Sequence, residues 1–171
     1  MKIVLLGYMT SGKSSIGKQL SKNLSMKFLD LDDYIVEKEK MPITEIFSSK
    51  GEIYFRLIEN TYLKEVLAKE EDFILSLGGG TPCYANNMEA INEGKTKSVY
   101  LKATNQTLID RLILKKSTRP IIANLSDDQI PEFVAKHLFE RRFYYEQAKY
   151  SINVDDKTIK QVSEEIEMLL Y

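Results

Sequence analysis

The stretch "GYMTSGKSS" at residues 7–15 constrains the fold of this chain more than any other part of its sequence. It follows "KIVLL" at residues 2–6, a continuous apolar run typical of a buried strand in a parallel sheet. After it, Ile16, Leu20 and Leu24 recur every four residues and predict a helix with one apolar face. A strand, a glycine-containing loop and a helix in this order curl backbone N–H groups around a phosphate.

Within this stretch, Gly7, Gly12, Lys13 and Ser14 fit the pattern G-x-x-x-x-G-K-[ST]. The Lys13 ammonium is expected to reach the β- and γ-phosphates of a nucleotide, and the Ser14 hydroxyl is expected to ligate Mg²⁺. The helix that begins near Lys13 adds the positive end of its dipole. A glycine-rich turn that binds nothing is the alternative, but the flanking strand and helix favour a phosphate site. We therefore assign nucleotide binding to Thr10, Ser11, Gly12, Lys13, Ser14 and Ser15.

The rest of the chain alternates between strand-like and helix-like segments. Further strands are predicted at residues 27–31, 73–81, 98–103 and 150–154. Two short helices are predicted over 33–50, with a break at Met41 and Pro42. Further helices are predicted at about 51–69, at 86–94, at 105–116, after Pro131 and at 157–170. This alternation predicts an α/β fold in one domain over residues 1–171, with a parallel sheet covered by helices on both faces. In such sheets the ligand lies beyond the carboxyl ends of the strands.

Acidic and glycine residues follow two of the predicted strands. Asp30 and Asp32 in "FLDLDD" alternate along a strand, so both carboxylates are expected to point into one crevice. One would orient Mg²⁺ through water, and the other would accept a hydrogen bond and a proton from a substrate hydroxyl. Solvated loop acids or a helix N-cap are the alternative. The segment "GGGT" at residues 78–81 predicts close approach of a ligand or bound backbone, with a flexible turn as the alternative.

Several arginines are candidates for the same crevice. Arg56 lies in "GEIYFRLIE" among apolar neighbours, and Arg119 lies in the polar break "TRPII", which we interpret as a mobile lid. Arg141 and Arg142 lie together on a predicted helix, where an arginine is usually a surface residue with a packed stem. Three guanidinium groups in one crevice would suit a substrate that carries a carboxylate, together with a phosphoryl group in transfer.

Composition argues against several other classes of function. The formal net charge of -1 gives no basic field for nucleic acid or a membrane surface. His137 is the only histidine, which argues against a histidine-based metal site or triad. Cys83 is the only cysteine, so no intrachain disulfide forms. Because we also see no secretory signal, we expect a cytoplasmic monomer whose partner is a small molecule.

The loop motif alone does not separate kinases from GTPases or nucleotide-driven switches. A GTPase needs a guanine reader of the N-K-x-D type, and the chain has no such segment. A small single domain with this loop is more often a kinase of a metabolite or a nucleotide. Kinases of gluconate or of a nucleoside monophosphate, and a non-catalytic nucleotide-binding module, remain open alternatives from the residues alone.

Six segments together resemble the shikimate kinase family over nearly the whole chain. In order they are "GYMTSGKSSIGKQL", "FLDLDDYI", "ITEIFSSKGEIYFRLIE", "LSLGGGTP", "RLILKKSTRPII" and "ERRFYYEQA". The resemblance implies a three-layer sandwich with a P-loop NTPase core and a five-stranded parallel sheet in the order 2-3-1-4-5. It also implies ATP and Mg²⁺ as cofactors, and phosphorylation of shikimate to 3-phosphoshikimate in aromatic amino acid biosynthesis.

For the acceptor side, the resemblance implies one role for each matching residue. Asp32 would hold ring hydroxyls of shikimate and serve as base, while Arg56 and Arg141 would clamp the carboxylate. Gly79 would offer its backbone N–H to the substrate. Residues 33–60 would form a helical substrate-binding region.

For the nucleotide side, the resemblance makes residues from about 112 to 124 the lid, which would carry Arg119 onto the ATP phosphates. Asp30 would lie near Mg²⁺, and Arg111 would lie against adenine. The catalytic residues would be Lys13, Asp32 and Arg119.

The sequence departs from the family pattern at two positions. The family usually has glycine where Thr10 stands, so Thr10 is strained if that position needs a positive φ. The family often has proline where Phe143 stands, which leaves Arg142 as the alternative to Arg141. Counting back from Tyr145 favours Arg141.

Overall fold

A five-stranded parallel sheet forms the centre of the molecule, in a computed structural model that describes residues 1–171. Its strands are β1 (Lys2–Leu6), β2 (Lys27–Asp30), β3 (Phe73–Ser76), β4 (Lys97–Lys102) and β5 (Tyr150–Asn153). Every neighbouring pair runs parallel, and the strand order is β2-β3-β1-β4-β5. The predicted order 2-3-1-4-5 is therefore confirmed.

Seven α-helices and two short 3₁₀ turns connect the strands. The helices are α1 (Lys13–Leu24), α2 (Leu31–Glu39), α3 (Ile43–Leu67), α4 (Asn87–Asn92), α5 (Asn105–Leu114), α6 (Ile130–Tyr145) and α7 (Ile159–Leu170). The 3₁₀ turns are Thr81–Cys83 and Lys116–Thr118. None of the helices combines the length and the apolar character needed to cross a membrane.

Alternate side chains of β1 belong to two different cores, because successive residues of a strand face opposite sides of the sheet. Ile3 and Leu5 are fully buried in a cluster with residues of α1 and α7. Val4 and Leu6 are fully buried in a larger cluster with residues of α2, α3, α5 and α6. The sheet is thus covered on both faces, and the predicted three-layer α/β fold is confirmed.

The junction of β2 and α2 differs from the prediction. β2 ends at Asp30, and Asp30 caps α2 by accepting a hydrogen bond from the backbone N–H of Asp32 at 3.0 Å. Such a cap typically stabilises a helix by about 0.5–2 kcal/mol. Asp32 therefore lies in the first turn of a helix, and the prediction that the two acids alternate along one strand is wrong. They approach each other because the chain turns into a helix between them.

Two further segment boundaries bear on the crevice. β3 ends at Ser76, so the predicted strand over 73–81 is too long and the glycine run forms a turn. The predicted helix start at Gly51 is a kink inside α3, where Gly51 has φ 84° and ψ 170°, a conformation that favours glycine. The kink allows Phe47, before it, and Phe55, after it, to line the same cavity.

Candidate active site

The phosphate loop lies between β1 and α1, with its two glycines at positive φ, 146° at Gly7 and 102° at Gly12. The Lys13 ammonium folds back over the loop and donates hydrogen bonds to the carbonyl oxygens of Gly7 at 2.8 Å and Tyr8 at 2.9 Å. The lysine is thus held at the mouth of the loop by neutral backbone acceptors. These are contacts that an anionic ligand can replace.

Thr10 occupies the loop position where strain was anticipated. Its φ is 64°, in the left-handed region that costs a β-branched residue energy. The side chain is only 8% exposed, and the hydroxyls of Thr10 and Ser11 are buried without a hydrogen-bond partner. Arg111 donates to the Thr10 carbonyl at 3.1 Å and so ties α5 to the loop.

Hard oxygen donors lie beside the loop, where a divalent cation would meet a nucleotide phosphate. The Ser14 hydroxyl donates to Oδ2 of Asp30 at 2.9 Å, and the Ser76 hydroxyl lies 3.5 Å from that of Ser14. Mg²⁺ prefers carboxylate and hydroxyl oxygens and keeps several waters, so it needs few protein ligands. The residues present therefore fit Mg²⁺.

Lys13 and Asp32 line one cavity of about 170 Å³, together with Arg119 and the phosphate loop. Burial raises the pKa of Asp32 to about 6, helped by the negative charges of Asp30 and Glu59 and opposed by Lys13. Burial lowers the pKa of Lys13 to about 8, against the opposite pull of Asp32. The expectation that this lysine and this acid face one crevice agrees with the geometry.

The three glycines of "GGGT" leave room for the functional side chains around them. A Cβ at Gly78 would lie 3.3 Å from Oδ1 of Asp32, and one at Gly79 would lie 3.2 Å from Nη1 of Arg141. A Cβ at Gly80 would lie 2.9 Å from Nη2 of Arg56. The close approach predicted at this turn is thus made by side chains of the protein itself.

Arg56 is held from α3 by a buried acid that the sequence reasoning did not assign to the site. Glu59, only 1% exposed, accepts from Nη1 of Arg56 at 3.0 Å and from the Thr81 hydroxyl at 2.8 Å. The Arg56 guanidinium also lies 4.0 Å from the ring centre of Tyr84. The sequence did carry a signal for this ion pair, because Arg56 and Glu59 are three residues apart and such residues are neighbours on the surface of a helix.

Of the two adjacent arginines on α6, Arg141 is half-buried and faces the crevice, whereas Arg142 is exposed. The Tyr145 hydroxyl, one turn further on, donates to the carbonyl of Gly79 at 2.5 Å. Arg141 and the backbone of Gly79 are therefore brought together by the same end of α6.

A second cavity of about 620 Å³ joins the first, since both are lined by Asp32, Gly78, Gly79 and Arg119. Its other lining residues include Arg56, Arg141 and Glu59 among apolar side chains such as Phe47 and Phe55. On the far side of the phosphate loop, Arg111 and Lys115 line a third cavity together with Thr10 and Ser15. All the predicted site residues therefore lie along one continuous path.

Chemically, the first cavity suits a polyphosphate and the second suits a small anionic molecule with a polar group near Asp32. A parallel sheet with a phosphate loop that opens onto such an acceptor cavity defines the P-loop kinases of small molecules. The family model described as shikimate kinase matches residues 9–170. A shikimate kinase from Flavobacterium psychrophilum is 49% identical over 170 residues, which cover 99% of each chain. This chain belongs to the shikimate kinase family.

Solved structures agree with this assignment. The crystal structure of a shikimate kinase from Bacteroides thetaiotaomicron has a TM-score of 0.92 and 36% identity, over 99% of this chain and 98% of that one. A shikimate kinase from Acinetobacter baumannii, solved in complex with shikimate, has a TM-score of 0.87 and 28% identity, over 99% and 92% of the two chains.

Proposed function

We propose that this chain phosphorylates shikimate from ATP to give 3-phosphoshikimate, a step of aromatic amino acid biosynthesis. The observation that carries the proposal is the arrangement of side chains around the glycine turn. The Asp32 carboxylate lies beside Gly78, and the guanidinium groups of Arg141 and Arg56 lie beside the next two glycines. Three consecutive residues span at most about 7 Å, so a hydroxyl binder and two carboxylate binders meet at one short turn. The related Acinetobacter baumannii kinase, solved with shikimate bound, supports this choice of acceptor.

On the acceptor side, Arg56 and Arg141 bind the carboxylate by charge-assisted hydrogen bonds, and the Gly79 N–H adds a backbone donor. Glu59 holds Arg56 in place through the 3.0 Å contact. Asp32 accepts a hydrogen bond from the reacting hydroxyl and aligns it. Because the transition state of phosphoryl transfer is loose, Asp32 does not need to remove the proton beforehand.

On the nucleotide side, Lys13 leaves the carbonyls of Gly7 and Tyr8 and donates to phosphate oxygens, while Arg119 adds a second positive charge. The backbone and hydroxyls from Thr10 to Ser15 surround the phosphates, and Arg111 lies towards the base. Ser14 and Asp30 would hold Mg²⁺. When bound, ATP and Mg²⁺ supply the phosphoryl group and the metal charge that neutralises its oxygens.

Two segments supply the remaining parts of the proposal. Residues 33–60 form the substrate-binding region, because both halves of α3 contribute side chains to the acceptor cavity. Residues 112–124 form the lid, since Arg119, Pro120 and Ile121 also line that cavity. Closure of the lid would exclude water, which otherwise competes as acceptor. We place this enzyme in the cytoplasm as a monomer of one domain.

The test is ADP release with ATP and Mg²⁺ in the presence of shikimate, gluconate, AMP or CMP in turn. Turnover with shikimate alone is the expected result. Turnover with gluconate or a nucleotide would assign a different small-molecule kinase. Nucleotide binding without turnover on any acceptor would instead indicate a non-catalytic module.

A further inference from the structure

Tyr8 and His137 form a hydrogen-bonded pair that the proposed chemistry does not use. The Tyr8 hydroxyl lies 3.0 Å from Nδ1 of His137, and the two rings meet edge to face with centres 5.7 Å apart. Tyr8, in the phosphate loop, is only 1% exposed, and His137 lies half-buried on α6. Phe133 packs on His137 at 4.7 Å between ring centres. The pair therefore joins the loop to α6 inside the fold.

The ionisation of both groups favours a neutral hydrogen bond. Burial raises the pKa of Tyr8 to about 12, so the phenol keeps its proton and can donate it. Burial and the positive charges of Arg141 and Lys136 lower the pKa of His137, against the opposite effect of Glu140. The imidazole is thus neutral near pH 7 and can accept at Nδ1.

Tyr8 also contacts both halves of the candidate site. Its carbonyl accepts from the Lys13 ammonium at 2.9 Å. Its ring centre lies 5.8 Å from the central carbon of the Arg141 guanidinium, within the range of a cation–π contact. Arg141 itself lies against Gly79, and Gly79 in turn lies beside the backbone of Gly7 and Met9 on either side of Tyr8. A shift of the Tyr8 ring would therefore move the surface that supports Arg141.

We propose that His137 is a positioning residue for the acceptor, which holds Tyr8 against α6 and so fixes the aromatic face that supports Arg141. His137 acts without touching the substrate. This inference rests on the proposed function, since it takes Arg141 as a ligand of the acceptor's carboxylate.

The test compares His137→Leu with His137→Asn. Leucine removes the acceptor atom, whereas the asparagine side-chain oxygen can occupy the place of Nδ1. Calorimetric titration with shikimate, without nucleotide, is expected to show about fivefold weaker binding for His137→Leu, the effect of one neutral hydrogen bond. His137→Asn is expected to restore the wild-type affinity. ADP affinity should stay unchanged in both variants, because Lys13 contacts the backbone of Tyr8 and not its side chain.

Tyr8→Phe removes the same bond from the other side while keeping the ring, so it tests the idea even if His137→Leu fails to fold. The double variant of Tyr8→Phe and His137→Leu should bind shikimate no more weakly than either single variant. Phe139→Leu, at an 87% exposed position of the same helix, is the matched control and should change nothing.

Wild-type shikimate affinity in both His137→Leu and Tyr8→Phe would overturn the inference. Equal losses of shikimate and ADP binding would also overturn it, because they would indicate a general role in loop folding. A failure of His137→Asn to restore shikimate binding would overturn it as well. If the wild-type protein binds ADP but not shikimate, the proposed function fails first, and the inference about the carboxylate clamp fails with it.

Discussion

Gly80→Ala should weaken acceptor binding without disturbing the fold. Gly80 has φ -89° and ψ -16°, which alanine adopts without strain. The added methyl group would meet Nη2 of Arg56 at 2.9 Å and Nη1 at 3.0 Å, whereas ordinary contacts begin at 3.4 Å. The guanidinium must therefore retreat by about 0.5 Å, enough to lose part of a charged hydrogen bond worth about 1.5–3 kcal/mol. The dissociation constant for shikimate should rise about tenfold.

Calorimetry measures this effect directly, with ADP titrated in parallel and a thermal melt as the check on folding. Arg56→Ala provides the background for a double-mutant cycle. If Gly80→Ala acts by displacing Arg56, it should cost nothing further once Arg56 is gone. Unchanged shikimate affinity in folded Gly80→Ala, or an equal cost in both backgrounds, would refute the reasoning.

Two further substitutions test the charges of the first cavity. Lys13→Ala should lower kcat by about 10³-fold or more, the scale of a lost preorganised charge, and near-normal ADP release at saturating substrates would remove Lys13 from the chemistry. Asp32→Asn should abolish most turnover yet raise the melting temperature near pH 7.5. The raised pKa of about 6, against 3.8 for a free aspartate, means that the charged carboxylate costs the fold on the order of 1–3 kcal/mol above pH 6. The cost falls as the pH is lowered from about 6 to 3.8, because Asp32 takes up a proton in the folded protein first. If Asp32→Asn were still more stable than the wild type below pH 3.8, the gain would have another origin. Wild-type turnover should likewise fall as the pH drops below about 6.

The parts of the fold that could be predicted are those whose geometry is local. The phosphate loop carries its own glycines and is flanked by an apolar strand and an amphipathic helix. The alternation of such segments is enough to predict a parallel sheet with helices on both faces. The strand order came from the family resemblance, since apolar runs do not say which strands are neighbours.

The parts that were missed depend on contacts between distant residues or on a single capping bond. Glu59 belongs to the site because its carboxylate accepts hydrogen bonds both from Arg56 and from Thr81, which is 22 residues further along the chain. Asp32 was placed on a strand because the pattern does not show that Asp30 ends β2 by capping α2. Helical neighbours differ by about 100° in direction, so the sequence alone does not say which of Arg141 and Arg142 turns inward.

The directions of the two pKa shifts in the first cavity reveal how its charges are used. Mutual attraction would lower the pKa of Asp32 and raise that of Lys13, yet the shifts run the other way, because loss of water outweighs attraction for both groups. The two residues are therefore not a salt bridge that stabilises the fold. Each is a charge held without its best partner, and the best partners would be a phosphate for Lys13 and a hydroxyl for Asp32. Those contacts that strengthen further in the transition state accelerate the reaction, and a sequence selected for stability alone would replace these charges.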